Sequence, residues 1–164
     1  MNRGIEPWDL YDRNRNMLNK DHIRGIKLND GEYHLVVHVW IKNQNGEYLM
    51  SKRSSIKKYP HLWECPGGSV LKGETTYVGG VREVKEEVGV DLSNIKGRFI
   101  TSFVRDKYQD IVDVYEFLYD GEASLALATT PEVEEIKWMK KEEIKKYFEE
   151  GKLLHTMEYF FTNL

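Results

Sequence analysis

The chain has 164 residues, the size of one domain, and sets 24 Lys and Arg against 27 Asp and Glu for a formal charge of −3. With 40 % apolar and 12 % aromatic residues beside 31 % charged ones, it can bury a core, which excludes wholesale disorder. The slightly acidic balance excludes a protein that coats DNA or an anionic membrane through bulk charge, because neutralising phosphates needs a basic face. Small anions gripped locally stay open. A single cysteine, Cys65, can form no intramolecular disulfide, so nothing requires an oxidising compartment. The opening MNRGIEPWDLYDRNRN is too charged for a signal peptide, and the longest apolar run, Leu35 to Ile41, is broken by His38 and too short to span a bilayer. The expected location is the cytoplasm, with no membrane partner.

In chain order, residues 33–41 (YHLVVHVWI) are rich in Val, Ile and aromatics and read as a strand. Asn45-Gly46 then marks a hairpin turn into a second, antiparallel strand, EYLMSKR. Residues 77–88 switch to helical periodicity, with Val78, Val81, Val84 and Val88 forming one apolar stripe. Thr75 or Thr76 can cap the start of that helix, and Gly89 its end. Gly79 and Gly80 inside it each cost about 1 kcal/mol relative to Ala, which is expected where backbone must come close to something else. Residues 97–105 and 111–119 read as another strand pair, and EIKWM (135–139) as a short strand before the helix KKEEIKKYFEEG. No repeat or linker divides the chain, so one domain over residues 1–164 is expected. Its class is α/β (α+β), a mixed β-sheet sandwiched between α-helices.

Glu83, Glu86 and Glu87 lie at i, i+3 and i+4, which the spacing places together on the helix face opposite the valine stripe. Like charges at that spacing repel, so the cluster requires open solvent or a cation. Oxygen-only donors select hard divalent ions, above all Mg²⁺, with Mn²⁺ as a substitute. Arg82 can pair with Glu86 one turn on. Upstream, SKRSSIKK carries Lys52, Arg53, Lys57 and Lys58 with no acid. It can meet phosphates, with Arg53 at the strand end and Lys52 beside it as the substrate-binding candidates. Tyr59, Trp63, Phe103, Tyr108 and Tyr115 are the aromatics available to stack a base, although strand aromatics more often belong to a core.

The stretch GGSVLKGETTYVGGVREVKEEVGV (Gly67 to Val90) resembles the signature of the Nudix hydrolase family. Gly68, Glu74, Arg82, Glu83, Val84, Glu86, Glu87, Gly89 and Val90 occupy every specified position of it. The resemblance implies the Nudix fold and Mg²⁺-dependent hydrolysis of a diphosphate linkage in a nucleoside diphosphate joined to another group X. It implies metal ligation by Glu83, Glu86, Glu87 and the Gly67 carbonyl, with Gly68, Glu74, Arg82 and Gly89 structural. A carboxylate must accept the proton of the attacking water. Glu83 is implied as a catalytic carboxylate that either binds metal or positions that water, and relatives that place the base before the final strand point to Glu132, with Glu134 and Asp113 as further candidates. The implied partner is a small nucleotide-type diphosphate, not a DNA scaffold, and a homodimer is compatible with the sequence.

WDLYDRNRN, YHLVVHVWI, NGEYLMSKRS and KKYPHLWE resemble, over roughly residues 8 to 92, a bacterial Nudix group similar in pattern to isopentenyl-diphosphate isomerase. His34 matches a metal-binding His of that isomerase and His38 shares its strand face. The isomerase's catalytic Cys and second His fall where this chain has Gly67 and Ser69, with Cys65 out of register. Two alternatives to hydrolysis therefore stand: an isomerase-like enzyme that relies on Cys65, and a nucleotide-binding Nudix domain without turnover.

Overall fold

In the computed structural model, which describes residues 5–164, the chain opens with an antiparallel hairpin of β1 (Pro7–Tyr11) and β2 (Met17–Ile23). Trp8 and Leu10 are buried while their neighbours face outward, the alternation of a half-buried strand. The Asp12 carboxylate closes the turn by accepting the Asn14 and Asn16 N–H groups, both at 2.9 Å. Tyr11 and Tyr33 exchange two backbone hydrogen bonds of 2.8 Å, which join the hairpin to the main body.

β3 (His34–Lys42) and β4 (Glu47–Arg53) are joined by a turn in which Gly46 has φ +75° and the Asn43 side chain accepts the Asn45 and Glu47 N–H groups. The expected antiparallel pairing is confined to the base of this hairpin, at Lys42↔Tyr48. Beyond it the strands part and each recruits other partners. β5 (Trp63–Glu64) joins β4, whereas β6 (Gly67–Ser69) runs antiparallel to β3. After α1 (Thr76–Val88), β7 (Arg98–Arg105) and β8 (Asp110–Leu118) form an antiparallel pair. β8 lies parallel to β3 from His34↔Asp110 to Lys42↔Leu118. β9 (Val133–Lys140) then pairs with β4 and leads into α2 (Lys141–Glu149), and the chain ends with α3 (Phe160–Asn163). The seven strands β3 to β9 make one mixed sheet.

β3 is buried on both faces. Leu35, Val37, Val39 and Ile41 pack with Val84 and Val88 of α1, while Val36 and Trp40 pack with Ile144 of α2, Met157 and Phe160. The sheet therefore lies between helices, as a mixed sheet with two apolar faces requires. Among the described residues, no helix is long and apolar enough to cross a membrane.

The caps of α1 match expectation. Thr75 accepts the Val78 N–H at 3.1 Å, a bond worth about 1 kcal/mol to a helix, and Gly89 closes the other end at φ +69°. Its buried face does not match. Val84 and Val88 are fully buried, but Val78 is 52 % exposed, and Glu83 and Glu87 are buried with the valines. The reason is the glycine pair. A Cβ on Gly80 would stand 3.0 Å from methyls of both Val37 and Val39, so this side of the helix lies against the sheet. At about 100° per residue, Glu87 falls on the same arc, about 60° from Val84, and Val78 is turned away.

Candidate active site and metal centre

Where β3 and β4 part, they leave a cavity of about 400 Å³ whose wall includes His38, Gly67, Gly68, Glu83, Glu87 and Glu132. Glu83 and Glu87 come from α1, and Glu132 from the loop before β9. Each offers a carboxylate oxygen, and the three oxygens lie within 4.8 Å of one another, all on buried side chains. The Glu132 carbonyl accepts the Ser54 N–H at 2.9 Å, and the Glu86 carbonyl accepts the Thr129 N–H at 2.8 Å. This loop is thereby tied to the end of β4 and to α1.

Burial pushes the Glu83 carboxyl up to about 7, with Glu86 and Glu132 adding to the rise and Arg82 opposing it. Glu87 is driven well above the ordinary carboxylate range by burial and by Glu83, Glu64 and Glu132, against Lys57. Three clustered, desolvated carboxylates hold their charge only beside a cation, and an all-oxygen set with room for water suits a hard divalent ion. The glycines allow the approach. A Cβ on Gly68 would stand 2.7 Å from the Glu83 carboxyl carbon, and one on Gly67 would stand 2.1 Å from the Val37 carbonyl oxygen. The Gly67 N–H donates to Glu87 at 3.3 Å.

Arg82 fastens the helix to the preceding loop. It donates to both Glu74 oxygens at 2.8 and 3.0 Å, to Glu83 at 3.0 Å, to Glu86 at 3.2 Å and to the Ser69 carbonyl at 3.2 Å. Glu74 also accepts the Leu71 N–H at 2.8 Å. Burial alone would lower the Arg82 pKa, yet its carboxylate partners raise it. A fork this fully engaged positions the carboxylates and has little left to give a substrate.

The profile of the NUDIX domain matches residues 32–159. The chain belongs to the Nudix hydrolase family. It is 40 % identical over 164 residues to the uncharacterized Nudix hydrolase lin0387 of Listeria innocua, covering 97 % of this chain and 92 % of that one. Among solved structures it resembles DR0079 from Deinococcus radiodurans, with a TM-score of 0.75 and 21 % identity over 90 % of this chain and 91 % of the other. It also resembles a bifunctional NMN adenylyltransferase/ADP ribose pyrophosphatase from Francisella tularensis, complexed with AMP and Mn ion. There the TM-score is 0.62 with 20 % identity, over 79 % of this chain and 40 % of that one.

The remaining candidates of this Nudix hydrolase separate cleanly. Glu86 stands outside the three-carboxylate cluster, with its side chain 37 % exposed and paired with Arg82. Arg53 lines the cavity, but its guanidinium donates to Glu64 and to the Lys58 carbonyl. Lys52 does not line it. Successive residues of β4 point to opposite faces, so Lys52 turns toward Glu134 and Glu135, at 3.6 and 3.8 Å. Glu134 is likewise outside, bonded to His61 at 2.7 Å. Asp113 is buried elsewhere, accepting from Arg15, Thr76 and Ser102. Of the five aromatics considered for base stacking, Tyr108 alone is in the cavity wall.

His34 and His38 both line the cavity, and burial pulls their pKa values down to about 4 and about 3, so both are neutral at pH 7. The Trp40 indole donates to the Tyr159 oxygen at 2.9 Å, and the same hydroxyl is hydrogen-bonded to His38 Nδ1 at 2.8 Å. Cys65 is 2 % exposed, and burial raises its thiol well above the usual value. A thiol so placed is a poor nucleophile or acid at neutral pH. Several wall residues carry no signal of that role in the sequence, among them Trp8, Arg24, Arg105 and Asp110. The alternation of Trp8 and Leu10 marks only the burial of the first; the others become neighbours only through the fold.

Proposed function

We propose that the chain, acting as one domain, hydrolyses a diphosphate linkage in a nucleoside diphosphate joined to another group X, using Mg²⁺. The observation that supports this most directly is the convergence of Glu83, Glu87 and Glu132 within 4.8 Å at the wall of a 400 Å³ cavity. The donors fit the ion: Glu83, Glu87 and the backbone of Gly67 would hold it, with Glu86 as a further ligand on the same helix. When bound, it would neutralise the non-bridging oxygens of the diphosphate and favour attack by water at phosphorus. Glu132 is the proton acceptor in this scheme, because it faces the cluster from a separate loop, and Glu83 serves as a ligand that also orients the water. Arg53, Lys57 and Lys58 supply positive charge along one wall. The Francisella tularensis fold neighbour, complexed with AMP and Mn ion, fits a nucleotide-type substrate.

The test is a panel of nucleotides, nucleotide sugars, dinucleoside polyphosphates and capped RNA with Mg²⁺, scored by released phosphate or monophosphate. Glu87→Gln should lower turnover of the substrate found by about 10² or more. Glu132→Gln should lower kcat by more than about tenfold, or about 1.4 kcal/mol of barrier. Unchanged turnover in Glu87→Gln would remove the metal assignment. Conversion of isopentenyl diphosphate to its isomer without phosphate release would replace hydrolysis with the isomerase alternative.

A further inference from the structure

The β1–β2 hairpin lies outside residues 32–159, the stretch matched by the family profile, yet it forms part of the cavity wall through Trp8 and Arg24. We propose that this hairpin is a substrate subsite, in which Trp8 and Arg24 contact the group beyond the diphosphate and select a hydroxyl-bearing one, a ribose or another sugar, over an isoprenoid chain. The proposal rests on the diphosphate reading above and names the substrate class for that same cavity.

Four features support it. First, the hairpin is locked onto the segment that leads into α1. The Pro7 carbonyl accepts the Lys72 N–H and Asp9 accepts the Gly73 N–H, both at 2.8 Å. Arg15 forks onto Asp113 with two bonds of 2.6 Å, and Asp113 in turn binds Thr76 in the first turn of α1. Second, Trp8 is stacked on His34 with ring centroids 3.8 Å apart and planes 4° apart, so its position is fixed. His34 and His38 stand four residues apart on β3, about 13 Å at 3.3 Å per residue. His38 is paired with Gly67 at the carboxylate end, so the cavity is longer than a diphosphate alone.

Third, this far end carries hydrogen-bonding capacity that the protein does not use. Trp8 Nε1 and His34 Nδ1 are buried without a partner. Arg105 spends Nε and Nη2 on Asp110, both at 2.7 Å, which leaves its Nη1 hydrogens unassigned. Fourth, Arg24, Arg105 and Asp110 bring charged side chains to this wall, and among the described residues Arg24 spends only Nη1, on Glu6 at 2.8 Å. An isoprenoid chain would strip water from these groups and return no hydrogen bond, whereas hydroxyls replace the lost water.

The experiment is titration calorimetry with Mg²⁺ on the full chain. The probes are the α,β-methylene analogues of ADP, GDP, CDP and UDP, methylenediphosphonate as a bare diphosphate mimic, and isopentenyl diphosphate. The proteins are wild type, Trp8→Ala, Trp8→Phe and Arg24→Gln; the last two keep the ring stack and the polarity of the wall, so they fold even if Trp8→Ala does not. The expected result is a loss of about tenfold for the best nucleoside analogue in Trp8→Ala and about fivefold in Trp8→Phe and Arg24→Gln, with methylenediphosphonate within about twofold throughout. Equal weakening of both ligands would mean a merely structural hairpin. Unchanged nucleoside affinity, or isopentenyl diphosphate binding as tightly as the best analogue in wild type, would also overturn the proposal while leaving the diphosphate reading intact. Failure of every diphosphate probe to bind the wild type would overturn both.

Discussion

Glu87→Gln should make the metal-free protein more stable at pH 8 while removing its response to Mg²⁺. Two ionised carboxylates within 4.8 Å of one another repel by about 3.5 kcal/mol or more at an effective dielectric constant of 20. Burial, more than repulsion, adds a separate penalty of similar scale at the Glu83 carboxyl. Its rise from 4.5 to about 7 corresponds to about 3 kcal/mol at 1.36 kcal/mol per unit. Because this pKa is higher in the folded state, the associated stability is complete below pH 4.5 and is lost as pH rises toward 7. His34 and His38, with pKa values lowered to about 4 and about 3, gain stability as pH rises to 6.5, but they do so in both proteins and cancel in the comparison. The difference between Glu87→Gln and wild type in EDTA, measured by urea unfolding, should therefore be near zero at pH 5 and reach about 2 kcal/mol in favour of the variant at pH 8. Millimolar MgCl₂ should close the gap by stabilising only the wild type. A difference independent of pH, or a variant less stable than wild type at pH 8 in EDTA, would refute the electrostatic account of the cluster.

Two further outcomes are expected. Arg15→Ala strands the Asp113 carboxylate, whose side chain is 3 % exposed. Breaking a buried pair costs about 3–5 kcal/mol, reduced to about 2 kcal/mol here because Arg15 is itself 41 % exposed; Arg15→Ala/Asp113→Asn should recover most of that, and a single-variant cost below about 0.5 kcal/mol would remove the clamp from the argument. Burial alone would raise the Asp113 pKa, but bonds from Arg15, Thr76 and Ser102 lower it, so this stabilisation is present above pH 3.8 and is lost as pH falls below that. Gly68→Ala places a methyl 2.7 Å from the Glu83 carboxyl carbon, and because that carboxylate is the movable end of a side chain, stability should change by less than about 1 kcal/mol while turnover falls by about 10². Wild-type kcat in that variant would show that the position of Glu83 is not critical.

The elements that sequence disclosed were those with local signals. The α1 caps, the turn at Gly46 and the β7–β8 pair all follow from residues within a few positions of one another. The family signature likewise brought out Glu83, Glu87, Arg82 and Glu74 before any geometry was known. What stayed hidden was non-local. β3 pairs in parallel with β8, more than seventy residues away in the chain, and no turn chemistry announces such a pairing. β2 is almost wholly exposed, with a single buried residue, His22, so it has no alternation to read. Lys52 and Arg53 are equivalent as charges in a string, and only the parity of β4 decides that Arg53 faces the cavity.

The misassigned face of α1 shows how the fold and the site constrain each other. A valine stripe treated as the whole buried face puts every glutamate in solvent, yet seven positions are buried, and they include Gly79, Gly80, Glu83 and Glu87. The glycines contribute little apolar area, but they let the helix backbone lie against Val37 and Val39, close enough that the two glutamates on the same arc reach the cavity instead of water. A more apolar pair at 79 and 80 would lift the helix and expose the carboxylates, relieving their repulsion and dispersing the cluster. The helix thus gives up intrinsic propensity at two positions and electrostatic comfort at two others for one result, a dense negative site inside a chain whose net charge of −3 gives no hint of it. That site becomes an attractor for phosphates only when a cation reverses its sign, which is why Mg²⁺ dependence and metal-free instability should appear and disappear together in Glu87→Gln.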